Sequence, residues 1–186
     1  KSQINREVTI IKIVIITVQK METIQKSKFS IFLLVLILMF SCDDIIEFNQ
    51  YKTLENSFWK SGEKIEFAFE VKDTILPKNL YINIRNNNDY EFSNLYIITE
   101  LKFPNNTLVI DTLQYEMADI SGMFLGNGFS EIKENKLFYK EHKVFPVSGN
   151  YTLDIRHAMR KNGEIDAIEK LYGLQDIGFS IEKINE

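Results

Sequence analysis

The sequence predicts an all-β fold, a single antiparallel β-sandwich of about seven or eight strands behind an exported leader. Three observations carry that expectation. Beyond residue 56, apolar and polar residues alternate with a period of two, in short runs at near-regular spacing. Turn-forming clusters such as Pro104-Asn105-Asn106 separate the runs. The chain also carries 14 Phe and 8 Tyr against only 3 Pro, which suits an aromatic core and not a disordered tail.

The elements follow in order. Ile65, Phe67, Phe69 and Val71 point one way while Glu66, Ala68 and Glu70 point the other, the signature of a half-buried strand. Leu80, Ile82 and Ile84 repeat the pattern with Tyr81, Asn83 and Arg85 opposite. Over 95–103, Leu95, Ile97, Leu101 and Phe103 share a face, and Tyr96, Ile98, Glu100 and Lys102 share the other. After the Pro104 turn, 107–113 returns as a hairpin partner. Gly122, Gly126 and Gly128 read as a loop with several positive-φ positions. Their spacing is not GxGxxG, and no strand-then-helix context makes them a phosphate cradle. A strand over 136–145, a turn over 146–150 and a strand through Tyr151, Leu153 and Ile155 come next. The stretch 158–171 is ambiguous, with room for a helical turn or two over 164–171. Ile177, Phe179 and Ile181 form the last strand. No internal repeat suggests a propeller or solenoid.

Ahead of this lies a leader. Lys26 and Lys28 precede an apolar run over 29–40, followed by the small residue Ser41 and by Cys42, the only cysteine. A basic segment, a short apolar segment and a small residue before a cleavage point make a secretory signal. The run is too short to span a bilayer. A lone exported thiol has no intramolecular disulfide partner. Met39-Phe40-Ser41-Cys42 reads as a lipobox, although Phe40 is bulkier than the usual residue. In that chemistry Cys42 becomes the lipidated first residue. Met21 then reads as the natural start, so the chain divides into upstream sequence 1–20, a signal peptide 21–41, a lipidated tether 42–55 and a β-sandwich domain 56–186. Membrane lipid, reached through acylated Cys42, is the first expected partner. Asp43, Asp44 and Glu47, acidic residues close behind the cysteine, resemble the surface-export signals of Bacteroidetes lipoproteins, and the alternative is a solvated part of the tether.

Charge excludes some functions. Residues 1–41 hold six basic and two acidic residues, leaving 16 basic and 24 acidic in the remaining 145, a net charge of −8. Such a domain is expected to repel nucleic acid and anionic lipid head groups. No HExxH or CxxC pair suggests a zinc site, no acidic spacing matches an EF-hand, and no GxSxG suggests a nucleophile elbow. The histidines are His142, in the polar stretch Lys140-Glu141-His142-Lys143, and His157, after Arg156 at a strand end. No catalytic residues, metal or cofactor are expected. Arg85, Asn86, Asp89 and Tyr90 form the densest polar patch, suited either to a carboxylate or sugar hydroxyl or to plain turn geometry. Trp59, the only tryptophan, is either an interaction anchor or a core-edge residue.

Four ordered stretches carry a family likeness. The first runs from Asn56-Ser57-Phe58-Trp59 through the strand at 65–71 to Asp73-Thr74. The second is Ile84-Arg85-Asn86-Asn87, Asp89-Tyr90 and Phe92-Ser93-Asn94-Leu95-Tyr96. The third is Pro104, Asp111-Thr112-Leu113, Ala118-Asp119 and the glycines Gly122, Gly126 and Gly128. The fourth is Gly149-Asn150-Tyr151, Met159-Arg160 and Asp176-Ile177-Gly178-Phe179. Together they resemble the gliding-motility lipoprotein GldH family of Bacteroidetes. Phe124 stands where that pattern leads one to expect tryptophan, and the insertion over 164–172 is long. The resemblance implies a non-enzymatic outer-membrane lipoprotein, working with other proteins of a gliding apparatus tied to type IX secretion. It leaves open whether the domain faces the periplasm or the outside. The triplets at Thr74 and Thr112, an Asp, a Thr and an apolar residue, also resemble the Bacteroidetes O-glycosylation pattern. A carbohydrate-binding surface lipoprotein is the alternative, because β-sandwiches often carry sugar sites and fold alone does not settle function.

Overall fold

Alternation over 65–71 is realised residue by residue, with Ile65, Phe67, Phe69 and Val71 buried and the residues between them exposed. The structure is a computed structural model that describes residues 45–128 and 131–184. It contains ten strands and, among the described residues, no α-helix. The strands are β1 (Ile46–Thr53), β2 (Phe58–Lys60), β3 (Ile65–Val71), β4 (Lys78–Asn86) and β5 (Asn94–Lys102), then β6 (Leu108–Glu116), β7 (Lys133–Lys143), β8 (Gly149–His157), β9 (Lys170–Tyr172) and β10 (Leu174–Lys183). All pairings are antiparallel. One sheet runs β1-β10-β4-β7, the other β3-β8-β5-β6, and β2 with β9 makes a short ribbon.

The two sheets face each other across an aromatic core. Phe69 lies 5.2 Å from Phe179, 5.6 Å from Tyr151 and 5.7 Å from Phe48, centroid to centroid, mostly tilted. Phe145 and Phe103 close the cluster, each 5.0 Å from Tyr151. Burying one such ring stabilises by roughly 1.5–3 kcal/mol, which explains how a domain without a disulfide holds together. Tyr151 keeps its hydroxyl satisfied by donating to the Val147 carbonyl at 2.7 Å. Strands β6 and β7, edges of opposite sheets, are tied by Tyr115 donating to the Phe138 carbonyl at 2.7 Å.

Strand direction defines two ends. One end gathers Ile45, the β3–β4 loop 72–77, the β5–β6 turn 103–107, the β7–β8 turn 144–148 and the end of β10. The opposite end carries the β2–β9 ribbon, the loop 87–93, the glycine loop and 158–169. Trp59 and Leu171 face each other in the ribbon with no exposed surface, so the ribbon plugs that end of the core.

Three expectations change. The segment 42–55 contains strand β1, paired with β10 over its length, so the domain starts near residue 46 and not at 56. The polar Asn49, Gln50 and Lys52 hid it, because β1 is an edge strand with a register shift between Ile46 and Phe48. The stretch 164–171 is not helical; it turns, bridges Arg160 to Ala167 and enters β9. Of the three glycines in this loop, only Gly122 has a positive φ. Gly126 and Gly128 instead permit close approach, since a β-carbon would lie 2.9 Å from the Asn135 side chain or 2.3 Å from the Ile132 carbonyl oxygen.

Candidate interaction surface

Arg85 leaves the outer face of β4 and is tied down at once. Its Nε lies 3.0 Å from Glu134 Oε2 on β7, and Nη1 lies 3.6 Å from Asp176 Oδ2 on β10. The guanidinium also stacks 4.2 Å over the ring of Tyr51 on β1. Tyr51 donates its hydroxyl to Glu134 Oε1 at 2.8 Å. The ring has room because the residue beside it on β10 is Gly178, where a β-carbon would come within 2.7 Å of it. All four strands of the sheet thus meet in one Tyr51–Arg85–Glu134–Asp176 network.

Its electrostatics follow from that geometry. Burial, with the hydrogen bond to Glu134 adding, pushes the Tyr51 phenol up to about 12. Burial works to raise the Glu134 carboxyl, but the hydrogen bonds from Tyr51 and Arg85 outweigh it and hold the pKa low. The hydrogen bond to Glu134, reinforced by its charge, raises Arg85. Side-chain exposures of 36% and 42% for Arg85 and Glu134 leave the pair well hydrated, so it contributes little stability, of order 1 kcal/mol or less.

The other residues singled out by sequence do not join Arg85 at the surface. Asn86 is fully buried and accepts from Asn135 Nδ2 at 2.8 Å. Tyr90 is buried, donates to the Asn94 carbonyl at 2.7 Å and has its pKa raised by burial. Trp59 is buried and donates Nε1–H to the Glu63 carbonyl at 3.1 Å. These three shape loops and core, in line with the turn-geometry and core-edge alternatives for them. Asp89 is exposed in its turn and accepts from Asn87 Nδ2 at 3.0 Å. It sits on the rim of an open, acid-rich concavity with Glu91, Glu164, Asp166 and Glu169.

Glu47 is also committed, because it reaches across β10 to the Lys78 ammonium at 2.9 Å. Cys42, Asp43 and Asp44 lie outside the described residues. Thr112 is exposed on the edge strand β6, whereas Thr74 is half-buried in a tight turn. His142 is exposed on β7. His157 is buried, 5.7 Å from the Trp59 ring, and neither ring nitrogen completes a hydrogen bond among the described residues. Burial pushes its pKa below the ordinary value of 6.5, and the nearby backbone of Lys60 and Trp59 opposes this only in part. Among the described residues no cluster of His, Cys, Asp and Glu could hold a metal ion.

Sequence reasoning missed two exposed apolar loop tips. Ile75 and Leu76 project from the end that carries Ile45, and Ile120, Met123 and Leu125 project from the opposite end. The available signal was apolar residues inside turn-rich stretches, where no strand period accounts for them.

Comparison with known proteins places the chain among relatives. The family model of the GldH lipoprotein matches residues 46–181. The gliding motility lipoprotein GldH homolog of Christiangramia forsetii is 44% identical over 160 residues, covering 85% of this chain and 98% of that protein. The gliding motility lipoprotein GldH of Flavobacterium johnsoniae is 42% identical over 153 residues, covering 82% and 94%. Among solved structures, a GH115 4-O-methyl-α-glucuronidase aligns with TM-score 0.43 and 11% identity, over 78% of this chain and 18% of that one. A family 16 carbohydrate-binding module aligns with TM-score 0.23 and 10% identity, over 69% and 72%. Neither structural likeness carries a functional argument.

Proposed function

This chain belongs to the GldH lipoprotein family, and from that premise we propose that it is a lipid-anchored, non-enzymatic component of a gliding-motility apparatus. Acylated Cys42 holds the β-sandwich at the outer membrane, and the domain binds other proteins of a machinery associated with type IX secretion. The observation that carries this reading is the family match over the whole sandwich, 46–181, directly behind the lipobox ending at Cys42. The side-chain chemistry supports binding over turnover. Glu47, Glu134 and Asp176 are tied to cations, and His157 is walled in against Trp59.

Carbohydrate binding needs a platform of open aromatic faces, and on the outer face of the β1-β10-β4-β7 sheet Tyr51 and Tyr81 are occupied, leaving Phe138 as the exposed ring. Arg85 covers Tyr51, and Lys136 sits 4.2 Å over Tyr81. That reading is therefore not advanced. Of the two candidate O-glycan sites, Thr112 is the sterically open one, and intact mass of the native protein reads whether sugar is attached.

The test is Cys42→Ala in the native host. Expected are loss of acylation and of gliding, with the domain still folded. Normal gliding by cells carrying only the unacylated protein would overturn the proposal.

A further inference from the structure

We infer that the β3–β4 loop is a membrane-contacting tip that seats Ile75 and Leu76 in the bilayer interface beside the lipid anchor. The inference rests on the acylation of Cys42 proposed above and adds the part of the domain that meets lipid.

The tip is built, not frayed. Ile75 is 81% and Leu76 61% exposed. Asp73 Oδ1 accepts the amide protons of both, at 2.9 and 3.3 Å. These backbone bonds hold the Asp73 carboxyl below its ordinary range. Pro77 fixes the next φ. Lys78 then anchors the loop from beneath. Its side chain is only 2% exposed, and its ammonium lies 2.9 Å from Glu47 and 3.9 Å from Asp73, joining β1, the loop and β4. A turn fastened this firmly presents two large aliphatic side chains to solvent. Ile45, Ile46 and Val144 are exposed at the same end. Exposed aliphatic side chains gathered at one end mark a candidate contact surface.

Chain length says what covers it. Cys42 lies three residues before Ile45, and three extended residues reach at most about 11 Å. Acyl chains on Cys42 therefore hold the Ile45 end within about 11 Å of the lipid, comparable to the roughly 5–10 Å depth to which interfacial apolar groups insert. The other exposed apolar tip, around Ile120, Met123 and Leu125, lies at the far end of strands of nine or ten residues, roughly 30 Å away. With the strands standing upright on the anchor, the 72–77 tip reaches the bilayer and the far tip does not. Lys183 and Lys72, the latter 3.4 Å from Glu70, line the concavity beside it together with Glu47 and Asp73, whose charges Lys78 already meets, and the two lysines complement headgroup phosphates.

The experiment uses the full chain, processed with its own signal, purified from membranes and reconstituted in vesicles of phosphatidylethanolamine and phosphatidylglycerol with brominated acyl chains. Bromine quenches tryptophan only at short range. The parent contributes Trp59, buried at the opposite end. Ile75→Trp and Leu76→Trp add a reporter at the tip, and Leu125→Trp adds one at the far end. The expected result is loss of most of the added emission for the two tip variants, with none lost for the parent or for Leu125→Trp. Intact mass on the same samples reports acylation. Unquenched tip reporters on acylated protein overturn the inference and leave the anchor standing. Equal quenching of Ile75→Trp and Leu125→Trp also overturns it, because the domain then lies on its side. Samples without the acyl mass overturn the anchor and the inference together. A sugar mass on Thr74 in the native protein overturns the inference as well, since a glycan there holds the tip off the lipid.

Discussion

Gly173→Ala measures what one close backbone crossing is worth. Gly173 joins β9 to β10 at φ +82. Its amide donates to the Ser57 carbonyl at 2.9 Å, and its carbonyl accepts from the Asn87 amide at 2.8 Å. A β-carbon there would lie 2.1 Å from the Tyr90 amide nitrogen and 2.5 Å from the Tyr90 Cα. These are backbone atoms, which no rotamer change can move aside. Gly122 and Gly163 supply matched controls, with φ of +83 and +85 and nothing within 4 Å of an added β-carbon. Alanine at either control costs only left-handed strain, about 1 kcal/mol. At Gly173 the same strain is joined by overpacking, roughly 1–3 kcal/mol. The 87–90 turn must also back away, weakening two hydrogen bonds that contribute about 1 kcal/mol each. The expected loss is roughly 3–5 kcal/mol, a large share of the 5–15 kcal/mol typical of a domain. Urea unfolding followed by the fluorescence of Trp59 measures all three variants. A Gly173→Ala loss no larger than that of Gly122→Ala or Gly163→Ala would refute the close-approach argument.

His157 has a folded pKa below its unfolded 6.5, so the unfolded chain binds more protons below that pH. Its contribution to stability is fully present above pH 6.5 and is lost as pH falls from there through the folded value; His157→Phe should flatten that part of a plot of urea midpoint against pH. Lys78→Ala removes the partner of Glu47 and should cost roughly 1–3 kcal/mol, while Lys78→Met, which refills the volume, should stay within about 1 kcal/mol; equal losses in urea unfolding would show that charge and not packing holds the loop. Gly178→Ala should displace the Tyr51 ring, a flexible neighbour, at a cost of about 1 kcal/mol. The upfield ring-current shift of the Arg85 side-chain protons in an NMR spectrum should disappear with it.

The sandwich was legible where burial is one-sided. In β3, β5 and β8 the period of two marks the inner face directly, since each such strand has one face on the core and one in water. In β4 the pattern underdetermined the answer. Tyr81 and Asn83, on the face opposite Leu80, Ile82 and Ile84, are buried too. Phe138 lies 4.5 Å from the Tyr81 ring, and Asn83 donates to Ser180 Oγ at 3.0 Å. Strands β1, β2 and β9 were illegible for separate reasons. The first bulges, which breaks its period. The other two have three residues each, too few to show a period.

The polar residues around Arg85 part company in the structure for a physical reason. Polar residues in adjacent positions of a strand and its turn go to different places. Arg85 leaves the outer face, Asn86 turns inward to meet Asn135, and Tyr90 folds back over its own loop to Asn94. Adjacency along the chain therefore disperses side chains, while pairing across strands gathers them. Tyr51, Arg85, Glu134 and Asp176 are far apart in sequence and meet only because β1, β4, β7 and β10 lie side by side. The same rule assembles the anchor-side end. Glu47, Asp73 and Lys78 come from a presumed tether, a loop and a strand start, and no spacing in the sequence couples them. A buried lysine ammonium requires such partners, because leaving it unpaired would cost several kcal/mol. The apolar tip above it keeps its outward geometry for as long as the volume of the buried Lys78 side chain stays filled and Asp73 holds the amides of Ile75 and Leu76.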